Sequence, residues 1–209
     1  RTEQYAMFEL GLTGTNEGNP YADVNLEADF IHVSSGRKIT VGGFYRGNGT
    51  YAVRFMPTDA GNWSYTTRSN DVELNGITGQ LTACPAGKDN HGRVLRATDV
   101  LKGKDRELYG SELAYRFCYE DGTPYQPYGT TCYAWTNQAP EVQDRTIETL
   151  KTAPFNKIRM CVFPKFYDFN NTDPELFAYE GSMEEGFDHS RFNEAFFKNL
   201  DYRIAQLTE

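Results

Sequence analysis

The chain has 209 residues, with 21 Lys and Arg against 29 Asp and Glu, for a formal net charge of −8. That balance repels phosphate backbones and excludes nucleic acid as a partner, and no run reaches the ~20 apolar residues a membrane span needs. With 39% hydrophobic residues the chain can build ordinary cores in one or two domains, which excludes a disordered polypeptide.

Residues 1–4 lack the apolar core of a secretory signal. From Tyr5 to about Ala83 the pattern is period-two strands broken by glycine and asparagine turns. Val24, Leu26, Ala28 and Phe30 alternate with Asn25, Glu27 and Asp29, Tyr51, Val53 and Phe55 alternate with Ala52 and Arg54, and Trp63, Tyr65 and Thr67 begin another alternating run. Gly47-Asn48-Gly49 connects two of these runs, and residues 57–62 make the next reversal. Strands this frequent, with no helical periodicity between them, predict an immunoglobulin-like sandwich over residues 1–85, although the Cys…Trp…Cys signature of antibody domains is absent.

Residues 84–92 are turn-forming and polar, and they mark the expected domain boundary. Beyond it, Asp121-Gly122 between two short aromatic runs predicts a hairpin. The spacing then predicts a strand over 127–135, a helix over about 141–151 begun by Pro140 and closed by Pro154, and a second strand over 156–163. A parallel βαβ unit must bury both faces of its strands, so residues 86–209 read as a linker, a hairpin and the first two units of an incomplete TIM-type barrel. The last segment predicts a helix capped by Asn193, stapled by Phe192 and Phe197, with Phe196, Leu200, Ile204 and Leu207 on its apolar face.

Cys84, Cys118, Cys132 and Cys161 are widely spaced and have no metal-ligand pattern with His32, His91 or His189, so they read as reduced thiols acting as small hydrophobes. This usage leans toward the cytoplasm and implies no metal or other cofactor. The acidic stretch 168–188 fits no calcium-loop spacing and reads as a solvated loop.

In parallel barrels the reacting groups lie at the carboxyl ends of strands, so the candidate sugar-contacting residues are Tyr133, Trp135, Lys165 and Tyr167. Trp135 reads equally well as core. Arg159, in the middle of an apolar strand expected to be buried, must meet a carboxylate, either a catalytic one or a structural partner.

Several motifs, in order, carry a resemblance: Phe55-Met56-Pro57 with Gly61-Asn62-Trp63-Ser64-Tyr65, then Asn90-His91-Gly92, Asp121-Gly122-Thr123-Pro124-Tyr125, residues 129–135, and residues 154–160. Together they resemble glycoside hydrolases of the apiosidase-like, endoglucanase-related group. The resemblance implies an N-terminal β-sandwich followed by a (β/α)8 barrel, and Asn156-x-x-Arg159 is similar to the second-strand signature of clan A, in which the arginine sits beside the nucleophile. The acid/base and nucleophilic glutamates of that clan belong to the fourth and seventh strands, neither of which this sequence contains. Retaining hydrolysis needs two carboxyl groups about 5 Å apart. The expectation is therefore an inactive N-terminal piece of a glycoside hydrolase with a carbohydrate substrate, whose unfinished barrel either self-associates or packs against the sandwich. The alternative is a non-catalytic carbohydrate-binding or scaffolding module, with Tyr45, Tyr51, Trp63 and Tyr65 as its aromatic platform.

Overall fold

In the computed structural model, which describes residues 1–103, 107 and 109–208, the early period-two runs become seven strands. These are β1 (Thr2–Glu3), β2 (Phe8–Thr13), β3 (Leu26–His32), β4 (Lys38–Gly47), β5 (Thr50–Phe55), β6 (Gly61–Ser69) and β7 (Thr78–Cys84), with a one-turn helix α1 (Pro20–Asp23) between β2 and β3. They form one sheet in the order β1-β7-β6-β3-β4-β5-β2. The alternation decides which face is dry: Leu26, Ala28 and Phe30 from β3, Tyr51, Val53 and Phe55 from β5, and Trp63 from β6 are all buried. Phe30 stacks on Phe55 with ring centres 3.9 Å apart, and the indole N–H of Trp63 donates to the Asp59 carbonyl at 2.9 Å. Between β4 and β5 the backbone of Gly47, Asn48 and Gly49 lies at positive φ, which the hairpin requires.

The expected immunoglobulin-like sandwich is corrected by this sheet. β4 pairs with β3 through residues 38–42 and with β5 from Gly43 onward, so the two flanks are one continuous, nearly closed sheet rather than two stacked ones. Gly42-Gly43 is where the strand changes partner. A Cβ on Gly43 would lie 2.6 Å from Leu26 Cγ and 3.1 Å from the Ala52 carbonyl oxygen, so the glycine lets the backbone turn against a filled core. Strand alternation alone does not separate the two architectures, because both bury one face of every strand. The edges β1 and β2 are consecutive in sequence, and between them the Tyr5 N–H donates to the Pro57 carbonyl at 2.9 Å across the gap.

The first compact unit extends to Gln126. It includes β8 (Val94–Arg96), α2 (Ala97–Val100), β9 (Phe117–Tyr119) and β10 (Pro124–Tyr125), with β9 central in a three-stranded antiparallel sheet over a small core of Ala97, Leu101, Leu113 and Cys118. The Asp121-Gly122 hairpin forms as expected, with Gly122 at φ 88°. Burial pushes the Glu120 carboxyl up, but two hydrogen bonds from the Arg93 guanidinium outweigh it and hold Glu120 below the usual carboxylate range.

The second unit, Pro127–Glu209, corrects the barrel expectation. It contains β11 (Gly129–Thr131), α3 (Pro140–Lys151), β12 (Lys157–Arg159), an antiparallel hairpin of β13 (Tyr179–Ser182) and β14 (Gly186–Phe192), and α4 (Glu194–Thr208). β11 and β12 are parallel and α3 connects them, but each is three residues long and they form an isolated pair. No barrel portion is present among the described residues. The expected longer strands end early because residues 135–137 coil into a 3-10 turn and residues 160–166 leave the extended ladder. β13 and the start of β14 occupy the C-terminal part of the stretch expected to be a solvated loop.

The terminal helix forms as expected at its start: Asn193 Oδ1 accepts the Ala195 N–H at 3.0 Å, and the Phe192 and Phe197 rings meet edge to face at 5.2 Å. Its buried stripe is rotated, however. Ile204 is 41% exposed, whereas Arg203 is 4% exposed and donates to Gln143 Oε1 at 2.9 Å and Asp144 Oδ1 at 2.5 Å on α3. The buried cation of this unit is thus Arg203.

Two predictions follow from these contacts. Gly43→Ala is expected to lower stability by about 1–3 kcal/mol in urea unfolding through overpacking against Leu26, while Gly42→Ala, whose Cβ meets nothing within 4 Å, stays near neutral. Gln143→Leu, which leaves the buried Arg203 Nε–H without its acceptor, is expected to cost about 1.5–3 kcal/mol. Asp144→Ala is expected to cost less, about 1 kcal/mol or below, because the Asp144 side chain is 65% exposed.

Candidate functional site

Parallel pairing sends the carboxyl ends of β11 and β12 the same way, so the residues after each strand meet. Thr131 is in register with Arg159, and two more backbone bonds extend the match: Cys132 N–H to the Arg159 carbonyl at 2.9 Å and Cys161 N–H to the Tyr133 carbonyl at 2.7 Å. Tyr133 therefore lies beside Arg159, whose guanidinium carbon is 5.2 Å from the tyrosine ring centre. From the loop after β12, Lys165 Nζ comes within 5.2 Å of the same ring and 5.5 Å of the Tyr167 ring, and the two tyrosines stand perpendicular at 6.3 Å. Distances of this kind are cation–π contacts, worth about 0.5–1 kcal/mol each when exposed.

Of the five candidate residues, four form this cluster: Tyr133, Arg159, Lys165 and Tyr167. The fifth, Trp135, is only 4% exposed and its indole N–H donates to Met160 Sδ at 3.4 Å, so it packs as the support behind the strand end. Arg159 is exposed, contrary to the expectation of burial. The pair β11–β12 covers one face only: Thr130 and Ile158 are partly buried, while Thr131, Lys157 and Arg159 point to the open side. The desolvation argument for a carboxylate partner consequently does not apply to Arg159 in this unit, and neither Arg159 nor Lys165 forms an ion pair among the described residues.

Sequence reasoning missed the groups that fix the two loops. Gln138 Nε2–H donates to Asn170 Oδ1 at 2.7 Å, Asn170 Nδ2–H donates to the Lys165 carbonyl at 2.8 Å, and the backbones of Tyr167 and Asn170 exchange two hydrogen bonds. Amides placed in loops that follow neighbouring strands were the available signal. Close by in sequence, Thr136 Oγ1 and both polar atoms of the Asn137 side chain are buried without hydrogen-bond partners. Burial pushes the Cys132 thiol up, which disfavours the thiolate and with it a cysteine nucleophile. No group of three or more His, Cys, Asp or Glu side chains is arranged to hold a metal among the described residues.

Two other features lie apart from this cluster. A cavity of about 390 Å³ between α3, β12 and α4 is lined by Ile147, Leu150, Phe155, Ile158 and Leu207 together with the polar Lys151, Asn156, Lys157 and Gln206. The aromatic platform of the binding-module reading is largely inside the first unit, where Tyr51 is 2% and Trp63 0% exposed, and Tyr45 and Tyr65 pack against the same core. No helix among the described residues is long and apolar enough to cross a membrane.

Residues 1–70 match the family model of a domain of unknown function, DUF5060. No curated protein matches the chain. Among solved structures, the crystal structure of a putative glycoside hydrolase from Bacteroides vulgatus is similar, with 41% identity and a TM-score of 0.83 over 99% of this chain. The chain spans 39% of the length of that protein.

The loop tie is testable. Asn170→Ala is expected to accelerate amide hydrogen exchange across residues 165–170 while α3 keeps its protection; unchanged exchange would show that the loop is fixed without Asn170.

Proposed function

We propose that the chain is part of a glycoside hydrolase and supplies one sugar-contacting wall of its site. The similarity over 99% of the chain to the Bacteroides vulgatus protein carries this reading. Tyr133 and Tyr167 offer ring faces to the apolar side of a pyranose, Lys165 and Arg159 supply donors to its oxygens, and Trp135 backs the strand end. The hydrolysis itself is assigned to carboxylates outside these 209 residues, because the chain spans 39% of its neighbour and neither cation of the cluster meets an acid among the described residues. In the finer, apiosidase-like reading Arg159 faces the nucleophilic carboxylate, keeping it ionised. Its exposure on the open side of β12 leaves room for that group.

The test measures reducing-sugar release from a panel of plant and host glycans. A longer polypeptide that contains these residues is expected to hydrolyse at least one glycan, and Arg159→Leu is expected to lower its kcat/KM by about a hundredfold or more, on the order of 3 kcal/mol of transition-state stabilisation. The 209 residues alone are expected to release nothing. Turnover by the short chain would place the catalytic carboxylates within it, and full activity of the Arg159→Leu enzyme would remove the arginine from the site.

A further inference from the structure

The 3-10 turn of residues 135–137, with the Gln138 that closes it, connects both helices of the second unit to the loop after β12. Its backbone is held from two sides: Asn199 Nδ2–H on α4 donates to the Thr136 carbonyl at 3.2 Å, and Gln143 Nε2–H on α3 donates to the Gln138 carbonyl at 2.6 Å. The Gln138 side chain faces the other way. Its Nε2–H group bridges the Ala134 carbonyl at 3.2 Å, across the turn, and Asn170 Oδ1 at 2.7 Å, and Asn170 in turn holds the Lys165 carbonyl at 2.8 Å. The order of the loop that presents Lys165 and Tyr167 therefore passes through one amide, and the closed turn is what places that amide.

The two polar side chains inside the turn are in the opposite condition. Thr136 is 6% exposed, and its hydroxyl oxygen and both polar atoms of the Asn137 side chain are buried with no hydrogen-bond partner among the described residues. A buried polar group left unpaired carries its whole desolvation cost, and native proteins keep few of them. Two consecutive residues with three such atoms put a local cost on the closed arrangement, which water removes when the turn opens. The bonds that resist opening within the turn are poor ones, since 3-10 geometry is less favourable than α-helical and the Gln138 N–H reaches the Trp135 carbonyl only at 3.4 Å. We infer that residues 135–138 are a conformational release for the loop after β12. The turn opens at a lower free energy than global unfolding, hydrates Thr136 and Asn137, and withdraws Gln138 from Asn170, which frees the backbone that positions Lys165 and Tyr167. This coupling holds whatever ligand the cluster takes.

Backbone amide hydrogen exchange, followed by NMR on the 209-residue chain, reads both ends of the coupling. The amides of residues 137 and 138 report the turn; those of Tyr167 and Asn170, each bonded to the other's carbonyl, report the loop. All four are expected to exchange through one opening, with a shared denaturant dependence, about tenfold or more faster than the interior amides of α3. Replacing the unpaired groups with apolar side chains of similar shape, Thr136→Val together with Asn137→Leu, is expected to slow all four by about tenfold or more and to raise the melting temperature. Gln138→Met cuts the tie, and in that background the same two substitutions are expected to slow the turn alone. Faster exchange at the turn in the doubly substituted protein, or its failure to fold, overturns the inference by showing that these groups find partners in solution. A turn that slows while the loop is unchanged, or loop slowing that survives Gln138→Met, also overturns it. Thr136→Val alone, the smaller change, is read in the same way.

Discussion

Parallel backbone pairing of β11 with β12 is the constraint on which the candidate site depends. Three residue pairs and two following hydrogen bonds are enough to fix Tyr133 beside Arg159. Antiparallel pairing would have sent the two loops to opposite ends, and Lys165 and Tyr167 could not then have reached Tyr133. Because side chains alternate along each strand, the same register turns Ile158 to the partly buried side, where it lines the cavity, and Arg159 to the open side. One short ladder thus separates a greasy face from a polar, aromatic one.

The two arginines of the second unit illustrate how environment, more than sequence neighbourhood, decides what a charge requires. Arg159 lies among apolar residues in the sequence but is exposed, and it rests against a tyrosine ring. Arg203 lies in an ordinary amphipathic helix yet is buried, and it has what a buried guanidinium needs: a glutamine oxygen, a carboxylate and a second glutamine. The physical rule that a buried cation must find an acceptor holds in this unit, and the residue that obeys it is Arg203. Arg159, being exposed, keeps its hydration and needs no such acceptor.

Local signals were legible wherever they were complete within a few residues. The alternation of Leu26, Ala28 and Phe30, the positive-φ turn at Gly47-Asn48-Gly49, the hairpin at Asp121-Gly122, Pro140 at the start of α3 and the Asn193 cap all have their whole cause in neighbouring side chains. Partner exchange along β4 was not legible, since Gly42-Gly43 reads equally as a strand break. The strand lengths near residues 127–135 and 156–163 were overestimated for a related reason: an apolar run shows that residues avoid water but leaves open whether they do so in a ladder or in a tight turn such as residues 135–137. Tyr133, Lys165 and Tyr167 come together because all three follow the paired strands, as their places in the sequence suggested, whereas the Gln138–Asn170 tie joins two loops 32 positions apart and has no local signature.

The first unit's sheet has a property that follows from its two outermost strands being neighbours in the chain. β1 and β2 are both contributed by residues 2–13, and the short segment between them bonds to the ends of β7 and β5. A single stretch of polypeptide therefore acts as a clasp over both borders that a foreign strand would otherwise use as a template. Peeling that stretch away would uncover two rows of unpaired amides and carbonyls at once, leaving a sheet prone to sticking to its own copies.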